Sequence, residues 1–207
     1  MPAPRILKAA ALAIATLTLG GTLARAETVS GRWLDAKPIV NWNKPGGPIP
    51  RGPKVVNRED IEACEKRGAE ETKKSPPTPE TRQVTAAGWL GAMVDKRAGD
   101  TVVVFARNGL DGMCRPLAYQ FFVFVGRRFA GTLSPRPMDA RWDGSGYFGP
   151  DQKIEPRRFR IEFSRYRKDD ALCCPSRTST VTYEIREAPG AGALVVPASV
   201  ATKRNKD

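Results

Sequence analysis

Tyr119-Gln120-Phe121-Phe122-Val123-Phe124-Val125 is apolar at six of its seven positions. A strand with one wet side alternates polar with apolar residues, whereas a nearly continuous run of β-forming residues suits a strand covered on both faces. The rest of the chain has to cover that strand. The surrounding stretch, Thr101 to Ile185, holds the best strand patterns and three of the four cysteines.

Working outward, Gly88–Val94 and Thr101–Ala106 flank the turn residues Lys96-Arg97-Ala98-Gly99-Asp100 and read as a hairpin. Asn108 to Cys114 is a loop rich in residues that tolerate positive φ. After Val125 the chain turns at Gly126-Arg127-Arg128 and returns through Phe129–Leu133. Ser134 to Lys153, rich in proline and glycine, is expected to be a long loop. Two alternating strands follow. Phe159, Ile161 and Phe163 alternate with Arg158, Arg160, Glu162 and Ser164, and Val181, Tyr183 and Ile185 alternate with Thr180, Thr182 and Glu184. Tyr166 departs from the phase of the first, which places a bulge near Ser164-Arg165. Ala193–Val196 can add an edge strand, and Lys203–Asp207 reads as a disordered polar tail.

Upstream, Asn57 can cap a helix with Glu59 and Asp60 in its first turn and Lys66 and Arg67 later, as the dipole favours, with Ile61 and Cys64 inward. A break at Ser75-Pro76-Pro77-Thr78-Pro79 precedes a short helix over Glu80–Ala86. About six strands with neighbouring hairpins and one or two short helices predict an α+β domain built on a largely antiparallel sheet and cross-linked by disulfides. The expected boundaries are a signal peptide at 1–26, a Pro/Gly-rich extended arm at 27–56, a single domain at 57–187 and a tail at 188–207. The arm carries Trp33, Ile39, Val40 and Trp42, and is expected to lie along the domain.

Arg5 and Lys8, the apolar run Ala9–Leu23 and Ala24-Arg25-Ala26 have the order of a secretory signal cleaved after Ala26. The 15-residue run, interrupted by glycine and threonine, is short of a membrane span. No cysteine follows the small residues, so no lipid attachment is expected, and a periplasmic or secreted location without a transmembrane segment is predicted. Removing 26 of 207 residues leaves 181, near the size of one domain. It also removes three of 34 basic residues and no acid, leaving 31 against 22, or +9. That sign favours anionic partners such as headgroups or envelope polymers.

Cys64, Cys114, Cys173 and Cys174 are an even set in an exported chain, so two disulfides are expected. Closing Cys173 on Cys174 would make an eight-membered ring far from the usual α-carbon separation of bridged residues. The expectation is therefore that Cys64 and Cys114 each take one of the adjacent pair. Bridges closing loops of this size contribute roughly 4 kcal/mol in the chain-entropy model.

The chain has no histidine, which removes Ser-His-Asp and Cys-His nucleophilic sites, imidazole-bound zinc and histidine acid–base chemistry. No CxxC spacing occurs, and neither a metal nor a cofactor is expected. Asp139, Asp143, Gly144 and Ser145 read as a turn in preference to a calcium loop. A carboxylate-dependent hydrolase would need Glu155 to meet Asp169 or Asp170, and nothing in the sequence brings them together. No enzyme activity is predicted. The densest basic cluster is Arg157, Arg158, Arg160, Arg165, Arg167 and Lys168 with Arg127 and Arg128 at a turn. Guanidinium groups suit phosphate or carboxylate, so these eight are the candidate anion-binding residues. The competing reading is a solvated strand face whose arginines pair with Glu162 or Glu184. No phosphate loop or nucleic-acid-binding signature accompanies them, and nucleic acid is not an expected partner.

Gly109–Pro116, the run Val125–Pro135, and Asp169-Asp170-Ala171-Leu172-Cys173-Cys174-Pro175-Ser176 with Tyr183 resemble the LppP/LprE family of bacterial envelope proteins over about Trp89 to Ile185. The acidic turn followed by Cys-Cys-Pro-Ser is the most specific part. The resemblance implies an exported bacterial domain of uncharacterised role with no catalytic residues to carry over. Members named as lipoproteins carry a lipidated cysteine after the signal, where this chain has Glu27. The function expected is a non-enzymatic envelope domain that binds an anionic envelope lipid or polymer, or an envelope protein. The alternative is a structural or protein-interaction domain that uses the arm.

Overall fold

The computed structural model describes residues 31–69 and 76–205. The predicted signal and its cleavage site, the fraying of the first helix at Lys73 or Lys74, and the last two residues of the tail lie outside the described residues.

Among the described residues, eight strands form two antiparallel four-stranded sheets. The first contains β1 (Leu90–Ala98), β2 (Thr101–Leu110), β3 (Pro116–Val125) and β4 (Arg128–Thr132) in chain order. The second contains β5 (Ser145–Tyr147), β6 (Arg158–Arg165), β7 (Arg177–Ala188) and β8 (Gly192–Arg204), also in order. The expected count of about six was low for a physical reason. β5 is three residues inside the glycine-rich loop, and only its pairing with Ser164, Phe163 and Glu162 makes it a strand. The edge strand extends well past Val196, pairing with β7 as far as Arg204, so Lys203 and Arg204 are strand residues and not free tail. Its Pro197 lies at a register shift, where a missing N–H is tolerated.

β3 is interior in both senses. It pairs with β2 on one side and β4 on the other. Its odd residues Tyr119, Phe121, Val123 and Val125 meet Phe159, Ile161, Phe163, Val181, Tyr183 and Ile185 of the second sheet in the main core. Its even residues Phe122 and Phe124 pack with Val102, Val104, Val84 and Trp89 on the opposite face. Gln120, the one polar residue of the run, is buried and fully used. Its amide donates to the carbonyls of Ser134 and Arg136 (3.1 and 3.2 Å) and its oxygen accepts from Ser134 Oγ at 3.0 Å, which pins the start of the crossover to the second sheet.

The cover on the outer face of the first sheet comes from upstream. α1 (Arg58–Ala69) turns Ile61 and Cys64 toward Leu110. Asn57 enters it at φ 51°, with its carbonyl accepting the Ile61 N–H, and so lacks the extended backbone of the side-chain cap expected of it. α2 (Pro79–Ala86) buries Val84 against Trp89 and the β2–β3 pair. It begins with a capping box that the sequence reading missed because its reciprocal partner is threonine. Thr81 N–H donates to Thr78 Oγ1 at 3.3 Å, and Thr78 N–H to Thr81 Oγ1 at 2.9 Å. In the arm, Leu34 is buried in the main core, with Trp33, Ile39 and Trp42 packed against it. Asn43 acts as a clamp between sheets, donating to the carbonyls of Thr132 (3.0 Å) and Val195 (3.1 Å) and accepting from Thr132 N–H at 2.9 Å. Gly131 permits this approach, because a Cβ there would lie 2.4 Å from Asn43 Cγ and 2.6 Å from Val195 Cγ1.

The disulfides differ from the expected pairing. Cys64 bonds Cys114 and Cys173 bonds Cys174. α1 lies over the β2–β3 loop, so the first pair has α-carbons 5.6 Å apart, inside the usual range. Cys173 and Cys174 sit on the β6–β7 loop of the other sheet, 3.8 Å apart, the spacing of ordinary trans neighbours. The ring disfavoured on separation alone is therefore the one present, because the helix sulfur has a closer partner.

Candidate functional site

The eight candidate cations do not form one cluster. Arg127 and Arg128 lie at the β3–β4 turn, both exposed. Arg157 pairs with Asp100 (3.6 Å) and Glu187 (3.0 Å) ahead of β6. Arg167 and Lys168 are exposed on the β6–β7 loop. Arg165 has to be removed from the set. Its side chain is 2% exposed and takes an inward position on β6, so β6 and β7 stay in register through Arg165↔Arg177 and the expected bulge is absent. Nε donates to Asp143 Oδ1 at 2.9 Å, Nη2 to Asp35 Oδ2 at 2.7 Å, and Nη1 to Asp35 Oδ1 and Ser179 Oγ, both at 3.1 Å. A buried guanidinium needs such partners, and here they tie the arm, the crossover loop and β7 to one point. The Arg165 hydrogen bond holds the Asp35 carboxyl below its ordinary range, against the opposing effect of desolvation.

Arg158 and Arg160 remain on the outer face of the second sheet. They line a groove of about 570 Å³ with Lys153 from the preceding loop and Lys203 from β8. The outer side chains of β6 and β7 are polar because alternation turns Phe159, Ile161 and Val181 inward, leaving Arg158, Arg160 and Thr180 on the other side. Gln152 Nε2 donates to the Arg160 carbonyl at 2.5 Å, which fastens the preceding loop along β6. The groove holds four cations against two carboxylates, Glu155 and Glu162. The acids expected to neutralise the arginines are engaged elsewhere. Glu162 accepts from Tyr147 Oη at 2.8 Å, and Glu184 from Arg186 at 3.1 Å. None of the four cations forms an ion pair with another described residue. Burial, with the hydrogen bond and charge of Glu162, pushes the Tyr147 hydroxyl up to about 12, so it donates to Glu162 throughout the neutral range.

The other candidate groups serve the fold. Asp143 holds Arg165 and the Tyr166 N–H, and Asp139 accepts from the Ala118 N–H at 2.7 Å. Asp170 accepts from the N–H groups of Arg167 (2.8 Å) and Ser176 (2.9 Å), closing the loop that carries Cys173 and Cys174. Those two backbone donors, the Arg167 one first, lower its pKa. Glu155 lies in the groove on the outer face, whereas Asp170 lies in the β6–β7 loop. Among the described residues no group of three or more Cys, Asp or Glu side chains is placed to hold a metal ion, and no helix is long and apolar enough to cross a membrane. Sequence reasoning missed Lys153 and Lys203 as companions of Arg158 and Arg160. Lys203 could have been found from the pairing Thr178↔Lys203, had the edge strand been extended past Val196.

No curated protein and no solved structure matches this chain. Residues 94–188 match the family described as LppP/LprE lipoprotein, a span that runs from within β1 to the end of β7. It contains Cys114, Cys173 and Cys174 but not Cys64, and Arg158 and Arg160 but not Lys203. The resemblance read from the glycine turn and the Cys-Cys-Pro-Ser motif falls within the same sheets, and over residues 94–188 the chain is similar to the LppP/LprE lipoprotein family.

Proposed function

We propose that this protein is an exported, non-enzymatic domain of the bacterial envelope that holds an anionic envelope component in the groove on the outer face of its second sheet. The observation that carries the reading is the set of four cations, Lys153, Arg158, Arg160 and Lys203, converging on one groove without ion-pair partners among the described residues. Arginines two apart on a strand face present two guanidinium forks to successive phosphates or carboxylates of a polymer. The net charge, +9 once residues 1–26 are removed, adds long-range attraction for such a ligand. The family supports an envelope setting, and the sequence from Met1 to Ala26 supports export with cleavage after Ala26. The lack of histidine supports a binding role over catalysis.

Retention on immobilised polyphosphate and on a polyuronate tests this reading and separates a phosphate from a carboxylate preference. Retention that falls with added NaCl, and that weakens about tenfold in Arg158→Ala/Arg160→Ala with the melting temperature unchanged, is expected. Equal retention on neutral dextran, or full retention by the double variant, would refute it.

A further inference from the structure

Three connections meet at one end of the sandwich. The β2–β3 loop, residues 111–115, lies beside the crossover loop, where Ala140 N–H donates to the Pro116 carbonyl at 2.9 Å. The crossover joins the β6–β7 loop through Tyr166 N–H to Asp143 Oδ1 at 3.0 Å, and Tyr166 Oη donates to the Leu172 carbonyl, also at 3.0 Å. Each connection presents one large apolar side chain to solvent: Met113 at 68% exposure, Trp142 at 59% and Leu172 at 63%. Next to Leu172 stands the exposed Cys173–Cys174 ring.

Most carboxylates at this end are engaged within the fold, while Asp169 is exposed beside Lys168. Asp111 is held by Arg115 at 2.7 Å, Asp143 by Arg165, and Asp139 and Asp170 by backbone N–H groups. Arg167, Lys168 and Arg204 are exposed around the apolar tips and outnumber Asp169. The described chain also begins here, because Gly31 packs against Asp143 so closely that a Cβ would lie 2.0 Å from Oδ2.

We propose that this loop end docks on the surface of an anionic phospholipid bilayer. Met113, Trp142 and Leu172 enter the headgroup region, and Arg167, Lys168 and Arg204 meet the phosphates. Trp and Leu on separate loop tips suit an interface that moulds around them, and indole is favoured at headgroup depth. Exposed cations are drawn to a negative leaflet within about a Debye length. This docking uses residues outside the groove and does not depend on the groove reading.

The chain from Glu27 onward is the form to test, since it holds every described element and lacks the apolar run, which would itself bind lipid. Sedimentation with vesicles of phosphatidylcholine containing one quarter phosphatidylglycerol is compared with pure phosphatidylcholine. Binding to the anionic vesicles is expected, with about a tenfold loss in Met113→Ser/Trp142→Ser/Leu172→Ser and none in the groove variant Arg158→Ala/Arg160→Ala. Brominated lipid should quench the fluorescence of the unaltered chain but not of Trp142→Phe, a readout that survives if the triple variant fails to fold. The proposal is overturned by absence of binding to anionic vesicles, by equal binding to pure phosphatidylcholine, by quenching that persists in Trp142→Phe, or by loss of vesicle binding in the groove variant.

Discussion

The two sheets have the same number of strands and opposite exposures. The inner strands of the first, β2 and β3, are covered on both faces, by the second sheet on one side and by α2, Trp89 and the arm residue Ile49 on the other. The second has its inner face in the core and an outer face of Arg158, Arg160, Thr180 and Lys203 around a groove. The difference is written into local pattern. β2 and β3 are apolar at nearly every core position, whereas β6 and β7 alternate. A sheet buried on both sides can contribute stability but not contact. The face left bare can carry polar residues suited to a ligand, and it is where the candidate site lies.

Truncating one residue on each sheet is the strongest way to break that contrast. Phe122→Ala removes a ring with no exposure from beneath α2 and Trp89, and should cost about 3–5 kcal/mol in denaturant unfolding. Arg160→Ala on the outer face of β6 should stay within about 0.5 kcal/mol. Similar losses at both positions would mean that the second sheet is not bare in the native protein.

The cysteines sharpen the contrast at a similar scale. Cys64–Cys114 belongs to the cover of the first sheet and joins residues 50 apart, so Cys64→Ser/Cys114→Ser should lose about 4 kcal/mol. Cys173–Cys174 closes a ring between neighbours on an exposed loop, and its removal frees few chain conformations. Cys173→Ser/Cys174→Ser should cost about 1 kcal/mol on the same model. Peptide mapping under non-reducing conditions checks the pairing directly, and a peptide joining Cys64 to Cys173 or Cys174 would contradict it.

The smallest effect tests the arm's contact with the one arginine that β6 turns inward. Asp35 is held below its ordinary carboxyl range by Arg165, so its ionised form favours the folded state. Its contribution is complete above the unfolded value of about 3.9 and is lost as pH falls through the lower folded value. Asp35 is 59% exposed, and solvent screening limits the effect of Asp35→Asn to about 0.5–1 kcal/mol at pH 7. The gap between variant and parent should narrow as pH falls below the unfolded value. A gap that widens in acid would reverse the sign assigned to this pair.

Much of the fold was legible because strand and helix periods are local. The two-faced burial of β3 followed from one heptapeptide, the inward faces of β6 and β7 from alternation, and the short α2 from prolines and a polar break. Arg165 was misread because alternation assigns a face, not a partner. Its inward position is tolerable only with Asp35 and Asp143, which lie 130 and 22 residues away. β5 was missed for a related reason, since three residues with a glycine have no period and become a strand only beside β6. The groove was half legible. Arg158 and Arg160 share a face by spacing, whereas Lys153 and Lys203 reach them through a loop clasp and a β-ladder.

The amino-acid sequence by itself determined which faces of β3, β6 and β7 carry the apolar residues, roughly where helices begin, and that imidazole side chains are absent, because these depend on side-chain type and on neighbours a few positions away. Tertiary structure alone decided which sulfurs pair, which arginine is enclosed, and which loop tips share an end. Those outcomes depend on distances between segments far apart in the chain. Such distances exist only once the two sheets have closed on a common core.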